Sequence, residues 1–388
     1  MLGKRRRDIA TVLSREIMNK HIHVVSFDVP FPANYGGVID VFFKIRAMAQ
    51  KGIQIHLHCF EYGRHEAAEL NEFCYSVDYY SRDVSKKHFF KSLPYIVSSR
   101  TSEELILNLL KDDYPILLEG LHTCQILTDP RLKDRKITVR THNIEHEYYL
   151  NLAKAETAFF KKYYFYNEAG KLKKYEEVLQ NAYQLVAISK KDERYFAAHF
   201  PRVDFIPAFH PHKSVKITPG KGNYVLYHGN LSVAENVNAV KFLIANVFKD
   251  SPYPLKVAGL NPRNQLKSLI ESCPNAELVA NPTDEELFEL IHNAQINISV
   301  TFQATGLKLK LLNTLYNGRF CLVNDQMLSG SALDELCIVA NDAKALKKKI
   351  KELWKKPFSK KDIEFRAQKL AVLYNNGHNV EKLINLIA

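Results

Sequence analysis

The residues best suited to chemistry in this 388-residue chain lie between positions 305 and 324. Gly306 opens a run with Lys308 and Lys310, and Leu311, Leu312, Leu315 and Tyr316 follow at helical spacing. Gly318 is placed to end that helix, and Phe320, Cys321, Leu322 and Val323 read as a buried strand. A glycine entry lets a ligand approach the backbone, and the unpaired N–H groups of a first helical turn favour anions. Two lysines add point charges suited to phosphate. The pattern predicts a diphosphate or nucleotide site.

Other polar groups gather at the carboxyl ends of expected strands. Gly36 and Gly37 close a loop after the strand 21–27, where a glycine pair permits close approach of a substrate or simply makes a tight turn. Thr141-His142-Asn143-Ile144-Glu145-His146 follows the strand 137–140, which places His142 and Asn143 for hydrogen bonds to hydroxyl groups. Glu119-Gly120-Leu121-His122 ends another strand, and Glu119 either reaches a ligand or pairs with a lysine. Gly229-Asn230-Leu231-Ser232 follows the strand 224–228, with Glu235-Asn236-Val237 beyond it. His142, Glu145 and His146 mimic half a metal site, but the H-E-x-x-H order is absent. No D-x-D occurs, so no metal is expected, and G-x-G-x-x-G is missing, which argues against a dinucleotide-binding dehydrogenase.

The elements that carry these groups form two series. Val38, Val41, Phe42, Ile45 and Met48 make one apolar helical stripe between the strands 21–27 and 53–60, a β-α-β unit. Strands are expected next at 76–80, 116–119, 137–140, 184–188 and 203–206, then at 224–228, 255–258, 276–279, 296–300, 320–323 and 338–340. Residues 207–222 hold three prolines and two glycines and read as a linker. The expected organisation is a basic leader over 1–17 (with Met18 as an alternative start), a first domain over 18–206, a second over 223–353, and terminal helices over 354–388. Two strand–helix series of this kind predict an α/β chain of two doubly wound, Rossmann-like parallel sheets.

Hydrophobic residues at 46% and charged residues at 25% are normal for a globular protein. No apolar run is long enough to span a bilayer, and the six cysteines, without a C-x-x-C pair, read as reduced thiols. A cytoplasmic location is therefore expected. The net charge of +12 attracts polyanions, yet no nucleic-acid-binding motif accompanies it, and a nucleic-acid partner is not expected. The basic aromatic segment 159–166 reads as a half-buried helix or as a surface lying on an anionic membrane.

Taken in order, the glycine loop, the His-Asn strand end, the hinge, the Gly-Asn-Leu loop and the lysine-bearing helix resemble glycosyltransferase family 4, whose fold is GT-B. Many bacterial members read Gly-Thr-Gly-Ile-(Arg/Lys)-Leu-Lys at the helix entry, matched here by Thr305, Gly306, Leu307, Lys308, Leu309 and Lys310. The family's two glutamates, separated by seven residues, fall at Thr305 and Asn313, and both acids are absent. The resemblance implies two facing domains with a cleft between them, terminal helices over 354–388 that cross back to the first domain, and a retaining, metal-independent transfer of a sugar from a nucleotide-sugar donor to a hydroxyl, in surface glycan synthesis. His142 and Lys308 would be catalytic. Gly229, Asn230, Thr305, Gly306, Leu307, Lys310 and Asn313 would meet the donor, and Gly36, Gly37, Glu119, His122 and Asn143 would line the acceptor side. The implied partners are the donor and a glycan or lipid-linked glycan acceptor, and the segment 159–166 adds a peripheral contact with the inner membrane face. A non-catalytic glycan- or nucleotide-binding protein is the alternative that the missing acids support, and a sugar-nucleotide epimerase is a second.

Overall fold

The computed structural model describes residues 20–156, 158–302 and 309–387. The expected leader, and Thr305, Gly306, Leu307 and Lys308, lie outside them. The chain forms two compact units, one comprising the chain through Ala153, Ala158–Pro211 and Asn376 onward, the other Lys154–Thr157 and His212–Asn375.

The first unit is built on a parallel sheet of seven strands in the order β3-β2-β1-β4-β5-β6-β7. They are β1 (His21–Ser26), β2 (Gln54–Glu61), β3 (Ser76–Ser81), β4 (Ile116–Glu119), β5 (Ile137–Thr141), β6 (Gln184–Ala187) and β7 (Val203–Phe205). The central strands β4 and β5 are buried along their whole length, as expected where helices cover both faces of a parallel sheet. After β1 the helix Gly36–Gln50 buries Val38, Val41, Ile45 and Met48 against the sheet. It ends at Gly52, whose φ of +80° suits the left-handed residue that closes helices.

The second unit repeats the plan with six parallel strands in the order β10-β9-β8-β11-β12-β13. These are β8 (Val225–His228), β9 (Leu255–Gly259), β10 (Ala276–Ala280), β11 (Ile296–Ser299), β12 (Phe320–Val323) and β13 (Ile338–Val339). Among the described residues, each strand begins and ends within one position of its expected bounds. The order reverses between β1 and β4 and again between β8 and β11, and ligands of doubly wound sheets bind outside the carboxyl ends of strands at such switch points.

Two boundaries differ from the expectation. Residues 207–211 sit in the first unit, because Arg140 donates to the carbonyls of Ile206 and Pro207 and the Phe209 amide donates to Asp40 at 2.8 Å. The terminal helices divide between the units. Helix Lys360–Leu373 belongs to the second, fixed by Arg366 on the carbonyls of Leu315, Gly318 and Arg319. Helix Asn376–Ile387 packs Val380, Leu383 and Ile387 into the core of the first. Among the described residues no helix is long and apolar enough to cross a membrane.

Candidate active site

In the first unit the switch point holds five buried polar side chains. Asp40 and Lys44 come from one turn to the next of helix Gly36–Gln50, Glu119 ends β4, and Arg140 and His142 come from β5 and the residue after it. Each is no more than 7% exposed. Lys44 Nζ lies 2.6 Å from Glu119 Oε1 and 3.1 Å from Asp40 Oδ2. Arg140 grips Asp40 with Nε and Nη2 at 3.1 and 3.0 Å. His142 Nε2 stands 2.9 Å from Glu119 Oε2. Burial alone would raise both carboxyls, but Arg140 and Lys44 outweigh it at Asp40, and Lys44 with His142 does so at Glu119, so both are held below the usual carboxylate range. An ionised carboxylate only accepts, so Nε2–H of His142 donates to Glu119 and Nδ1 is left for other work.

Ligand atoms of Asp40, Glu119 and His142 lie within 4.8 Å of one another, close enough to share a metal. The cations already present oppose it. Lys44 stands between the two carboxylates and Arg140 covers Asp40, so their charge is neutralised without an ion.

Phe27, just beyond β1, meets His142 edge-on at 5.3 Å and lies 5.2 Å from His122. Gly37 is the reason that ring fits, because a Cβ there would stand 2.7 Å from Phe27 Cζ. Gly36 and Gly37 therefore form the first turn of the helix, and Gly37 makes room for an aromatic ring of the protein itself. Gly120 turns sharply at φ +70°, and a Cβ there would press on His122 Nδ1 at 2.9 Å. Burial, then the charges of Arg100 and His142, hold His122 neutral well below the ordinary imidazole range. Asn143 donates to Glu145 at 3.5 Å, and burial pushes the Glu145 carboxyl up to about 7. His142 and His146 part company, since His146 Nδ1 turns to Glu176 at 3.2 Å.

In the second unit the equivalent edge is tighter. Gly259 at the end of β9 must be glycine, because a Cβ would fall 1.8 Å from the carbonyl oxygen of Gly229. Gly229 in turn would press on Asn236 Cγ at 3.0 Å. Asn236 Oδ1 accepts from Lys310 Nζ at 3.1 Å and from Tyr227 at 3.0 Å, while its Nδ2 donates to the Asn230 carbonyl at 2.9 Å. Asn230 Oδ1 accepts from the Ser232 amide and hydroxyl, which folds the loop over itself. Lys310 also lies over the Tyr227 ring at 5.2 Å. His228, behind it, contacts Thr314 Oγ1 at 3.3 Å, and burial with the Lys310 charge lowers its pKa to about 3. The ammonium of Lys310 is thus held at the carboxyl end of β8 beside a neutral imidazole. Asn313, one turn beyond Lys310 in helix Leu309–Asn317, accepts at Oδ1 from Asn317 Nδ2 at 2.8 Å.

No protein-family model matches the chain. A protein of Klebsiella pneumoniae, described as an uncharacterised 44.6 kDa protein in the cps region, is 29% identical in an alignment of 374 residues that covers 89% of this chain and 94% of that one. Among solved structures, the sucrose-phosphate synthase of Thermosynechococcus elongatus aligns at a TM-score of 0.67 with 15% identity, over 95% of this chain and 98% of its own. The chain has the GT-B fold. TarM aligns on the same GT-B plan at a TM-score of 0.66 with 10% identity, over 95% and 98% of the two chains. A glycosyltransferase of Rickettsia africae aligns at 0.61 with 13% identity, again over 95% and 98%.

Within this GT-B chain the structure brings His142 and Glu119 together, sets His122 beside the same phenylalanine, and clusters Gly229, Asn230 and Lys310. Asp40, Lys44 and Arg140 were missed by sequence reasoning. Their signal was an Asp/Lys pair four residues apart in the helix that carries the apolar stripe, and an arginine inside a strand buried on both faces.

Proposed function

We propose that this protein is a retaining glycosyltransferase, transferring a sugar from a nucleotide-sugar donor to a hydroxyl of a glycan or lipid-linked glycan acceptor. One observation carries the reading: in a GT-B chain, the switch point of the second unit presents the Lys310 ammonium at the carboxyl end of β8. A cation there would suit the donor diphosphate, and the family resemblance adds Lys308, which lies outside the described residues. Catalysis would consist mainly of orienting the donor and stabilising charge on the departing diphosphate. His142, its Nε2–H fixed by Glu119, would hold the transferred sugar through Nδ1. We read the transfer as metal-independent, since Lys44 and Arg140 already neutralise the carboxylates that could share an ion. Retention of anomeric configuration follows the family resemblance.

The relative in a cps region supports a role in surface polysaccharide synthesis. We infer a cytoplasmic enzyme that meets its acceptor on the inner membrane face. The non-catalytic reading keeps one specific observation in its favour, the neutral Asn313 tied to Asn317 where the resembled family has an acid.

Thermal denaturation with uridine, guanosine and adenosine diphosphates tests the proposal. A ligand at a hundred times its Kd stabilises by about 2.7 kcal/mol, or several degrees in a chain of this size. One nucleotide is expected to raise the midpoint. No shift with any of the three would defeat the reading.

A further inference from the structure

The first unit leaves large aromatic rings on its surface. Phe90 is 91% exposed, Phe160 86%, Phe159 76% and Tyr163 69%. Isolated exposed apolar residues need no explanation, but a contiguous group does. Contiguity follows from the packing of the segment 86–90 on helix Phe159–Tyr175. The Phe89 ring meets Tyr164 edge-on at 5.3 Å, and Lys171 Nζ bonds the Phe89 carbonyl at 3.0 Å. Phe160 precedes Tyr164 by one helical turn and shares its side of the helix, while Phe159 and Tyr163 form the adjoining stripe. Phe90 stands next to the seated Phe89.

The charges within the two segments are of one sign. Residues 86–91 and 158–167 contribute Lys86, Lys87, Lys91, Lys161 and Lys162 and no acid. Of the flanking acids, Asp83 is engaged by Lys87 and His88, Glu168, which is buried, by Lys171 and the Tyr95 amide, and Glu156, three residues before Phe159, is half-buried. The centre of a protein–protein interface is depleted in lysine. A single nucleic-acid strand needs a groove whose walls offer stacking platforms, whereas a ring 91% exposed protrudes. Protruding phenylalanines, tyrosines and interleaved lysines suit the boundary between acyl chains and anionic headgroups.

We propose that the aromatic and lysine side chains of 86–91 and 159–166 form a docking surface for an anionic lipid bilayer. The phenylalanine rings enter the headgroup region and the lysines meet lipid phosphate. This specifies the membrane partner of the transferase proposed above and rests on that reading for its purpose, although lipid binding is measured without donor or acceptor.

Sedimentation of the full chain with vesicles is the test, using phosphatidylcholine alone and phosphatidylcholine with about a third phosphatidylglycerol. Binding is expected to the mixed vesicles, weakly to the neutral ones, and to weaken as salt rises. Replacing Phe90, Phe159 and Phe160 together by serine should lower partitioning about tenfold or more. Lys86→Glu with Lys91→Glu and Lys162→Glu should abolish the preference for the anionic lipid. Five of the six side chains are exposed and Lys162 is half-buried, and an unchanged thermal midpoint will show that the variants fold. Equal binding to both vesicles, or full binding by the serine variant, overturns the proposal. So does a surface that proves to pair two copies of the chain or to hold a single-stranded oligonucleotide in place of lipid. If vesicles bind while no nucleoside diphosphate shifts the midpoint, the transferase reading fails and the docking surface stands.

Discussion

Glu119 holds the His142 imidazole with one carboxylate oxygen, at 2.9 Å, and the Lys44 ammonium with the other, at 2.6 Å. The histidine is thereby locked to a buried ion pair that extends through Asp40 to Arg140 and on to the carbonyls of Ile206 and Pro207. Buried ions of this kind add little net stability, yet removing one partner leaves an uncompensated charge. Their plausible use here is orientation. Glu119→Gln should destabilise the protein by about 3–5 kcal/mol in urea titration, with much of the loss recovered when Lys44→Met is added. In a working transferase it should also lower turnover by about tenfold to a hundredfold, the usual effect of losing a group that orients a site residue. Wild-type stability and turnover in Glu119→Gln would show that the network does not position His142.

At the opposite edge of the same sheet, β1 and β2 carry four histidines on one face. Asp112 Oδ1 lies 2.9 Å from His23 Nε2, His23 Nδ1 lies 2.8 Å from His58 Nε2, and His58 Nδ1 lies 2.8 Å from the Tyr80 hydroxyl. Asn108 Nδ2 donates to that hydroxyl at 2.7 Å. The chain of bonds closes with both imidazoles neutral: Asn108 donates to Tyr80, Tyr80 to His58, His58 to His23, and His23 to Asp112. Burial lowers His23 despite Asp112, lowers His58 well below the ordinary value, and lowers His56 to about 4 with the help of His23 and His21. Groups depressed in the folded state bind more protons when unfolded. Their stabilisation is therefore present above about pH 6.5 and is lost as pH falls toward 4. The denaturation midpoint should drop over that window, with a shallower slope in His23→Gln/His58→Gln. A flat profile in wild type would refute the neutral chain.

Patterning made the sheets legible because parallel strands buried on both faces are continuous apolar runs, as in the ILLE of β4 and the FCLV of β12. The charged interior was much less so. Sequence spacing puts Lys44 four residues after Asp40, but only the fold brings Glu119 and Arg140 to them from strands far along the chain. Glu119 reads in the sequence as a ligand contact or a lysine partner, and its lysine is Lys44. Gly37 reads in the sequence as a place for substrate approach or a tight turn, and the neighbour that excludes a side chain there is Phe27. In each case a long-range neighbour supplied the reason.

The carboxylates of Asp40 and Glu119, with His142, are near enough to share an ion but already carry Lys44 and Arg140. Transfer activity should accordingly survive a chelator, and Mg²⁺ or Mn²⁺ should not raise the thermal midpoint of the free protein. Loss of activity in chelator with rescue by Mn²⁺ would overturn the metal-independent reading.

Lys310 offers a direct test of where phosphate sits. Its ammonium bonds Asn236 at 3.1 Å and lies over the Tyr227 ring at 5.2 Å. Lys310→Ala should weaken nucleoside diphosphate binding about tenfold to a hundredfold, the worth of a charge-assisted contact of about 1.5–3 kcal/mol. The parent nucleoside should lose little. Equal losses for the two ligands, measured by calorimetry, would place Lys310 away from the phosphates.

Asn313 separates enzyme from non-catalytic relative. Its Oδ1 accepts from Asn317 Nδ2 at 2.8 Å, and the same Nδ2 reaches the Asn313 carbonyl at 2.9 Å. The amide oxygen keeps a second lone pair and Nδ2 keeps two donors, enough for a ribose hydroxyl but fewer acceptors than a carboxylate offers. In a transferase, Asn313→Ala should raise the donor KM by about twofold to tenfold, the worth of one neutral hydrogen bond of about 0.5–1.5 kcal/mol. Asn313→Glu should lower it, because a carboxylate can accept from Asn317 and from the ribose together. If the chain only binds glycan, both substitutions leave nucleotide binding unchanged and no donor sugar is transferred or hydrolysed. A panel of nucleotide sugars assayed with wild type and both variants therefore decides the matter, and silence across the panel would favour the non-catalytic protein.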